Sequence, residues 1–563
     1  MKKIAIPFVL LCTSFLLSCG GKNKADLIVY NGVVYTVDSA FSNAEAFAVK
    51  DGVIVEVGTN KSIRSRYDAM EEKDAHGMPV YPGFIDAHAH FVGYGRSLYQ
   101  VGLYDCKSWE EVLERVKAFV KDHPDEPWIL GRGWDQNVFP GKQYPTNKEL
   151  SELFPGKPLL LQRVDGHAAI ANAKALELAE VTGETKLVGG KVELDKGIPT
   201  GLLIDNAVDL VSSKVPKANK KEYEKWLTTA QRNCFAQGLT MVADCGLTYY
   251  DVTILDTLQR EGKLDMRMYV MLSDDRVTYK TYMAEREKVL AGTDAKAKKK
   301  YPGDGPYKTD RLFVKGVKAY ADGALGSRGA CLKKPYTDKP EWTGFLLSSQ
   351  AHFDSLAAML INTDMQLCTH AIGDSGNRVV LNIYAKYLTG VNDKRWRIEH
   401  AQVVDSSDFY LFGKYAIVPS VQPTHATSDM YWAEDRLGHS RMKGAYAYQL
   451  LLNQNGWMPL GTDFPVEDIS AIKTFYAAVV RKDKKGFPEG GFQNDNALTR
   501  EQAIKGMTIW AAKSFFMEKE VGSLEVGKKA DFVILDKDLM KADEKELLNV
   551  KVSSTYLNGK NMK

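Results

Sequence analysis

Pro82-Gly83-Phe84-Ile85-Asp86-Ala87-His88-Ala89-His90 is the stretch on which the fold turns. An apolar run leads through a strand into two histidines placed two residues apart. Residues two apart on a strand share a face. Both imidazoles are therefore offered to one side at the strand's C-terminal end. In a (β/α)8 barrel that end is where active sites are built. Alone, a His-x-His pair is weak evidence, since an exposed strand carries two histidines by chance. The glycine turn and the strand before it strengthen the reading.

Working outward, three more residues stand just past short runs. His370 follows Met365-Gln366-Leu367-Cys368-Thr369, His400 follows Trp396-Arg397-Ile398-Glu399, and Asp463 follows Met458-Pro459-Leu460-Gly461-Thr462. Taken singly, each histidine is more readily a structural residue. Four histidines and an aspartate at successive strand ends are hard to attribute to chance. Imidazole nitrogen and carboxylate oxygen suit a divalent cation, zinc by default, with manganese, iron or cobalt tolerated.

The rest of the chain frames this series. Met241-Val242-Ala243, Met268 to Leu272, Leu312-Phe313-Val314 and Ile417 to Val421 are strand-like runs alternating with helical stretches. Such alternation predicts an α/β fold, a distorted TIM barrel over 81–515. Trp128 to Gly131 and Leu159 to Gln162 raise the strand count above eight. They place a large insertion, 92–235, after the first barrel strand. Leu27 to Tyr30, Val33 to Val37, Ala46 to Val49 and Val53 to Val57 are β-rich, separated by Asn31-Gly32 and Asp51-Gly52, two hairpin signals. Ala530 to Leu535 and Val550 to Leu557 repeat that style. Neither end holds enough strands for a stable sheet, so both termini, 25–80 and 516–563, are expected to pair into one composite β-sandwich.

The motifs together resemble the amidohydrolase superfamily, and in particular its amidohydrolase-3 branch, with its N-substituted formamide deformylase-like proteins. They run in order from Pro82 to His90 through Gly131-Arg132-Gly133-Trp134-Asp135, Arg163-Val164-Asp165-Gly166-His167-Ala168 and Val317 to Arg328. They continue through His370-Ala371-Ile372-Gly373-Asp374, Arg397 to Gln402, Val421-Gln422-Pro423-Thr424-His425 and Gly461 to Val466. The resemblance implies that His88 and His90 ligate one metal and that His370 and His400 ligate a second. It implies Lys318, as a carbamate, for the bridge, and Asp463 as ligand and general base. A lysine paired with an acid is the plainer alternative; Lys315, three residues earlier, falls on the opposite strand face. His167, His425, Arg328 and Asp322 are candidates for substrate contacts. Nothing assigns a role to His76, His123, His352 or His439.

The 563 residues, 44% hydrophobic, suffice for a large core, and the net charge of +3 gives no nucleic-acid footprint. The basic run Lys296 to Lys300 reads as a solvated loop. Lys2 and Lys3 precede an apolar segment, Ile4 to Leu17, that ends in Leu16-Leu17-Ser18-Cys19. It is short for a bilayer span and broken by Pro7. It resembles the lipobox of bacterial lipoproteins, which implies a signal peptide (1–18), a lipidated Cys19 and a tether (19–24). Membrane contact is then through the anchor alone, and Lys22 and Lys24 favour the periplasmic side. The other cysteines, Cys12 aside, are scattered and read as buried thiols.

The leading expectation is hydrolysis of a non-peptide C–N bond in a small molecule, by one or two metal ions. The resemblance leaves the oligomeric state open, a homodimer being a frequent assembly in the family. A deaminase of the same superfamily is the enzymatic alternative; it calls for His-x-x-Glu after the fifth strand, where this chain has His370-Ala371-Ile372-Gly373. A catalytically silent, ligand-binding lipoprotein is the other, and it sits poorly with a complete ligand set.

Overall fold

The computed structural model describes residues 22–291 and 307–563. The signal segment, Cys19 and the run Lys296 to Lys300 lie outside the described residues. No helix among the described residues is long and apolar enough to cross a membrane.

Seven parallel strands form the core of the molecule: β1 (Phe84–Ala89), β2 (Leu239–Leu247), β3 (Arg267–Ser273), β4 (Leu312–Tyr320), β5 (Gln366–Ala371), β6 (Arg397–His400) and β7 (Val418–Ser420). Each pairs with the next in sequence. The gap between β7 and β1 is bridged by an irregular segment in place of an eighth strand. Leu460 makes a single parallel bridge with Val421. On the other side, Ala87 N–H donates to the Leu460 carbonyl at 3.1 Å and Asp463 N–H to the His88 carbonyl at 2.7 Å. The nearly closed barrel is thus an α/β TIM barrel, as expected. Its lower interior is filled by Ile85, Met241, Tyr269 and Met271, packed against Ala511, Ala512 and Phe515 at the helix Ile509–Ser514.

Helices return the chain between strands, and their starts are written locally. Lys220–Ala236 begins at Asn219, whose side chain accepts from the Glu222 N–H while Glu222 reaches back, a capping box. Thr248 and Asp251 do the same for Tyr249–Arg260.

Between β1 and β2 the chain builds a second, six-stranded sheet. It runs Gly190–Asp195, Ile198–Asp205, Ala168–Ala171, Leu159–Arg163, Ile129–Trp134, Val101–Gly102. The two surplus strand candidates pair with each other there, Ile129 opposite Leu159. Apolar clusters cover its two faces, one around Leu161 and Trp134, the other around Leu160 and Leu203.

Both termini contribute to one small β unit. Pro79–Pro82 pairs with Val33–Tyr35 on one edge and Phe532–Leu535 on the other. A second sheet, built from Asn23–Tyr30, Ala46–Lys50, Val53–Gly58 and Tyr67–Asp74, packs on it through Val29, Phe47, Val80 and Phe532. Two expectations are corrected here. Asn31-Gly32 is not a hairpin turn: the strands flanking it belong to different sheets, and the edges of Asn23–Tyr30 are taken by Ala46–Lys50 and Tyr67–Asp74. Asn23 and Lys24, expected in the tether, already pair with Tyr67 and Asp68. Asp51-Gly52 does form a two-residue hairpin, with φ of 51° and 76°, the left-handed pair a type I′ turn requires.

Candidate metal centre

The strand ends converge. Ring centroids lie 4.7 Å apart for His88 and His400, 4.5 Å for His370 and His400, and 5.7 Å for His88 and His90. Asp463 Oδ1 is 3.2 Å from His90 Nε2 and 3.6 Å from His88 Nε2, with hydrogen-bond geometry to neither. Ligand atoms of His88, His400 and Asp463 all fall within 4.8 Å of one another. Lys318 is fully buried in β4, its Nζ 4.4 Å from the Tyr320 ring centroid.

Four buried polar atoms here have no hydrogen-bond partner: His88 Nε2, His370 Nε2, Lys318 Nζ and Asp463 Oδ1. An orphaned buried polar group costs about 1–3 kcal/mol. The two imidazole nitrogens and the carboxylate oxygen are what a bound cation would satisfy, so the residue set fits a divalent metal; the Lys318 amine would ligate one only after conversion to an anion.

The surrounding shell fixes the rings by one repeated device, an acceptor on Nδ1. His88 Nδ1 lies 2.5 Å from Glu399 Oε2, and His400 Nδ1 2.6 Å from Gln422 Oε1. His167 Nδ1 is 2.7 Å from Asp205 Oδ1, and His425 Nδ1 3.1 Å from Glu467 Oε1. Such partners orient an imidazole and leave Nε2 for the metal or the substrate. Glu399 is itself held by Arg397, whose Nη2 also donates to the Ala87 carbonyl and Ser420 Oγ, both at 2.8 Å.

Burial sets the charges. It pushes His88 down to about 4 and drives His370 and His400 well below the imidazole range, favouring the neutral form that ligates. Burial opposes ionisation of Asp463, but His88, His425 and His90 more than offset it and hold the carboxylate ionised. Burial also lowers the Lys318 pKa, yet Tyr320, Cys245, Glu399 and Asp463 leave it above the ordinary lysine value. Asp463 and His400 take left-handed backbone, φ 64° and 72°. Strain of this kind costs about 1–3 kcal/mol and clusters at functional sites. Glycine is required at 461, where a Cβ would stand 2.5 Å from the His88 nitrogen.

A cavity of about 180 Å³ opens above these groups, lined by His167, His370, His400, His425 and Asp463. His425 Nε2 is 3.2 Å from Asp463 Oδ2. His167, from the insertion, stands 5.0 Å from His370 between ring centroids. The other two sequence candidates lie differently. Asp322 is fully buried with Oδ1 3.8 Å from His370 Nε2, and it accepts from the backbone of Ile372, Gly373 and Cys331 at 2.8–2.9 Å, tying the loop after β5 to the segment that follows β4. Arg328 pairs with Asp338 at 2.8 Å in a separate surface pocket and is not brought to the histidines. Lys315 reaches Asp364 at 3.7 Å, away from the centre.

Sequence reasoning passed over Glu399, Gln422, Asp205 and Glu467. Glu399 and Gln422 stand in motifs quoted for the resemblance without a role of their own, and Glu399 shares one strand face with a second charge, Arg397.

The sequence profile of the amidohydrolase family matches residues 71–562. The chain is 33% identical over 544 residues to Protein LONG AFTER FAR-RED 3 of Arabidopsis thaliana, covering 96% of this chain and 91% of that protein. It is 26% identical over 558 residues to N-substituted formamide deformylase of Arthrobacter pascens, covering 95% and 97%. An uncharacterized metal-dependent hydrolase from Pyrococcus horikoshii has a similar solved structure, with a TM-score of 0.72 and 27% identity over 92% of this chain and 99% of that one.

Proposed function

This chain belongs to the amidohydrolase family, and from that premise we propose that it hydrolyses a non-peptide C–N bond, of amide type, in a small molecule. The coarser statement, a metal-dependent hydrolase, follows from the family and its solved neighbour. The C–N bond is supported by the formamide deformylase relative, and the metal it needs is carried by one observation: His88, His400 and Asp463 offer ligand atoms within 4.8 Å of one another, with His88 Nε2 and Asp463 Oδ1 buried and unpartnered.

His88, His90 and Asp463 would hold one cation; His370 and His400 would hold a second, with Lys318 as a carbamate between them. Such a cation, zinc by preference, polarises a carbonyl and lowers the pKa of water when bound. Asp463 then takes the proton of the attacking water and delivers it to the leaving nitrogen. His425 steadies that carboxylate from its Oδ2 side. His167, held by Asp205, contacts the substrate from the insertion.

The test is a screen of N-formyl and N-acyl compounds on zinc-loaded protein, with chelated protein as control and metal content measured in parallel. Turnover that survives chelation, or protein that takes up no metal, would sink the reading. The carbamate is tested separately, by intact mass and by ¹³C NMR after labelled bicarbonate. We propose in addition that Cys19 carries the lipid that anchors the protein to the cell envelope; Cys19→Ser is then expected to move it to the soluble fraction.

A further inference from the structure

One wall of the cavity over the histidines is acidic, and of its carboxylates only Glu467, the acceptor on His425, enters the chemistry above. Asp135, Asp165, Asp429 and Glu467 stand on it. Among the described residues lining this cavity, Arg163 is the one lysine or arginine. It is already spent. Nη1 lies 2.5 Å from Asp165, Nη2 lies 2.5 Å from Asp135, and Nε donates to Gln136 at 2.7 Å. Two carboxylates against one guanidinium leave a net negative charge. Asp429 has no ion-pair partner among the described residues, and burial raises its pKa to about 7, so a cation docked beside it would draw it into the ionised form. Its Oδ2 accepts from the Tyr446 hydroxyl at 2.8 Å and the Gln402 amide at 3.3 Å, both neutral donors. Glu467 accepts from His425 and Ser428. The wall shares its cavity with His370, 2% exposed and with Nε2 unpartnered. It is therefore part of the space that opens onto the centre.

We propose that the substrate carries, beyond its scissile bond, a positively charged nitrogen group that docks against Asp429 and Glu467. The inference rests on the hydrolase reading for which bond is cut, and on the cavity alone for the charge. An anionic group entering on this side meets these carboxylates, with Arg163 and His425 already paired to acids, and like charges in a partly desolvated site repel strongly. A cation meets the reverse. Leu325, Ile372, Trp432 and Val466 line the space between and suit a short hydrocarbon spacer.

Three compounds of matched length test this on the full metal-loaded chain: N-acetylputrescine (cationic), N-acetylpentylamine (neutral) and N-acetyl-γ-aminobutyrate (anionic), with their formyl counterparts. For a compound that is turned over the readout is kcat/KM; otherwise it is Kd by titration calorimetry. The cation is expected to exceed the neutral compound by at least about tenfold, and the neutral to exceed the anion. Asp429→Asn, which keeps an oxygen for Tyr446 and Gln402, is expected to shrink the cation-to-neutral ratio below about threefold. A neutral or anionic compound that equals the cation overturns the inference, as does failure of all three to bind. Ordered binding without turnover would instead overturn the hydrolase reading and leave this one standing.

Discussion

Asp463 is the residue at which geometry and chemistry are hardest to separate. It sits in left-handed backbone and touches three histidines. Asparagine tolerates that backbone better than most residues, so Asp463→Asn keeps the loop and removes the base. We expect kcat/KM to fall at least about a hundredfold with little change in melting temperature; a parallel thermal melt checks the second half. Asp205 offers a complementary case. Its carboxylate is fully buried against His167, and Gly323 and Gly329 are glycines because a Cβ there would stand 2.4 and 2.2 Å from its oxygens. Asp205→Asn is expected to lower kcat by about tenfold or more with metal content intact, and a double variant with His167→Gln to fall no further. Steady-state kinetics on the three proteins decide it. The histidines were legible because they stand at the ends of short strands, and Asp463 because it follows a run that reads like one. Asp205, Glu399 and Gln422 were not, since their meaning lies in partners 38, 311 and 22 residues away.

Strands and turns repeat that division between near and far. Asp51-Gly52 was readable because a two-residue hairpin is decided by its own backbone. Asn31-Gly32 carries the same signal and makes a corner, because Tyr67–Asp74 claims the edge that a hairpin partner would need. No local pattern announces a strand arriving from 40 residues on. In β6, Arg397 and Glu399 form a buried pair on four residues of chain. Burial opposes the charge on Glu399, yet Arg397 and His88 hold its pKa well below the usual carboxylate range. Removing one partner of such a pair strands the other: Arg397→Met is expected to cost about 3–5 kcal/mol. Arg397→Met with Glu399→Gln should recover part of it. Urea unfolding of both variants gives the answer; equal losses would show that the pair contributes little.

The molecule as a whole is held shut at one further buried cation. Arg267, in β3, reaches Asp531 at 3.1 Å and Asn558 at 2.8 Å, tying the C-terminal strands to the barrel, and also pairs with Asp310. Burial opposes ionisation of Asp310, but Arg267, Lys529 and Asn558 outweigh it, so its folded pKa lies below the ordinary value of 3.8. Its stabilising contribution is then complete above about pH 4 and lost as pH falls toward the folded value. Asp310→Asn should flatten the acid limb of a melting-temperature profile below pH 4; an unchanged limb would remove Asp310 from the account. The α/β barrel, the added insertion sheet and the joined termini were foreseeable from texture and length. The loss of the eighth strand to a single bridge was not, because Leu460 looks like any other strand end. The joined termini also set a timetable. Pro79–Pro82 leaves the ribosome about 450 residues before Phe532–Leu535, the neighbour it needs. At about 5–20 residues per second that is a wait of roughly 20–90 seconds, with one edge of its sheet open throughout. A nascent chain stalled in that interval leaves this strand border unpaired, so the last-made strands are what complete the earliest-made sheet.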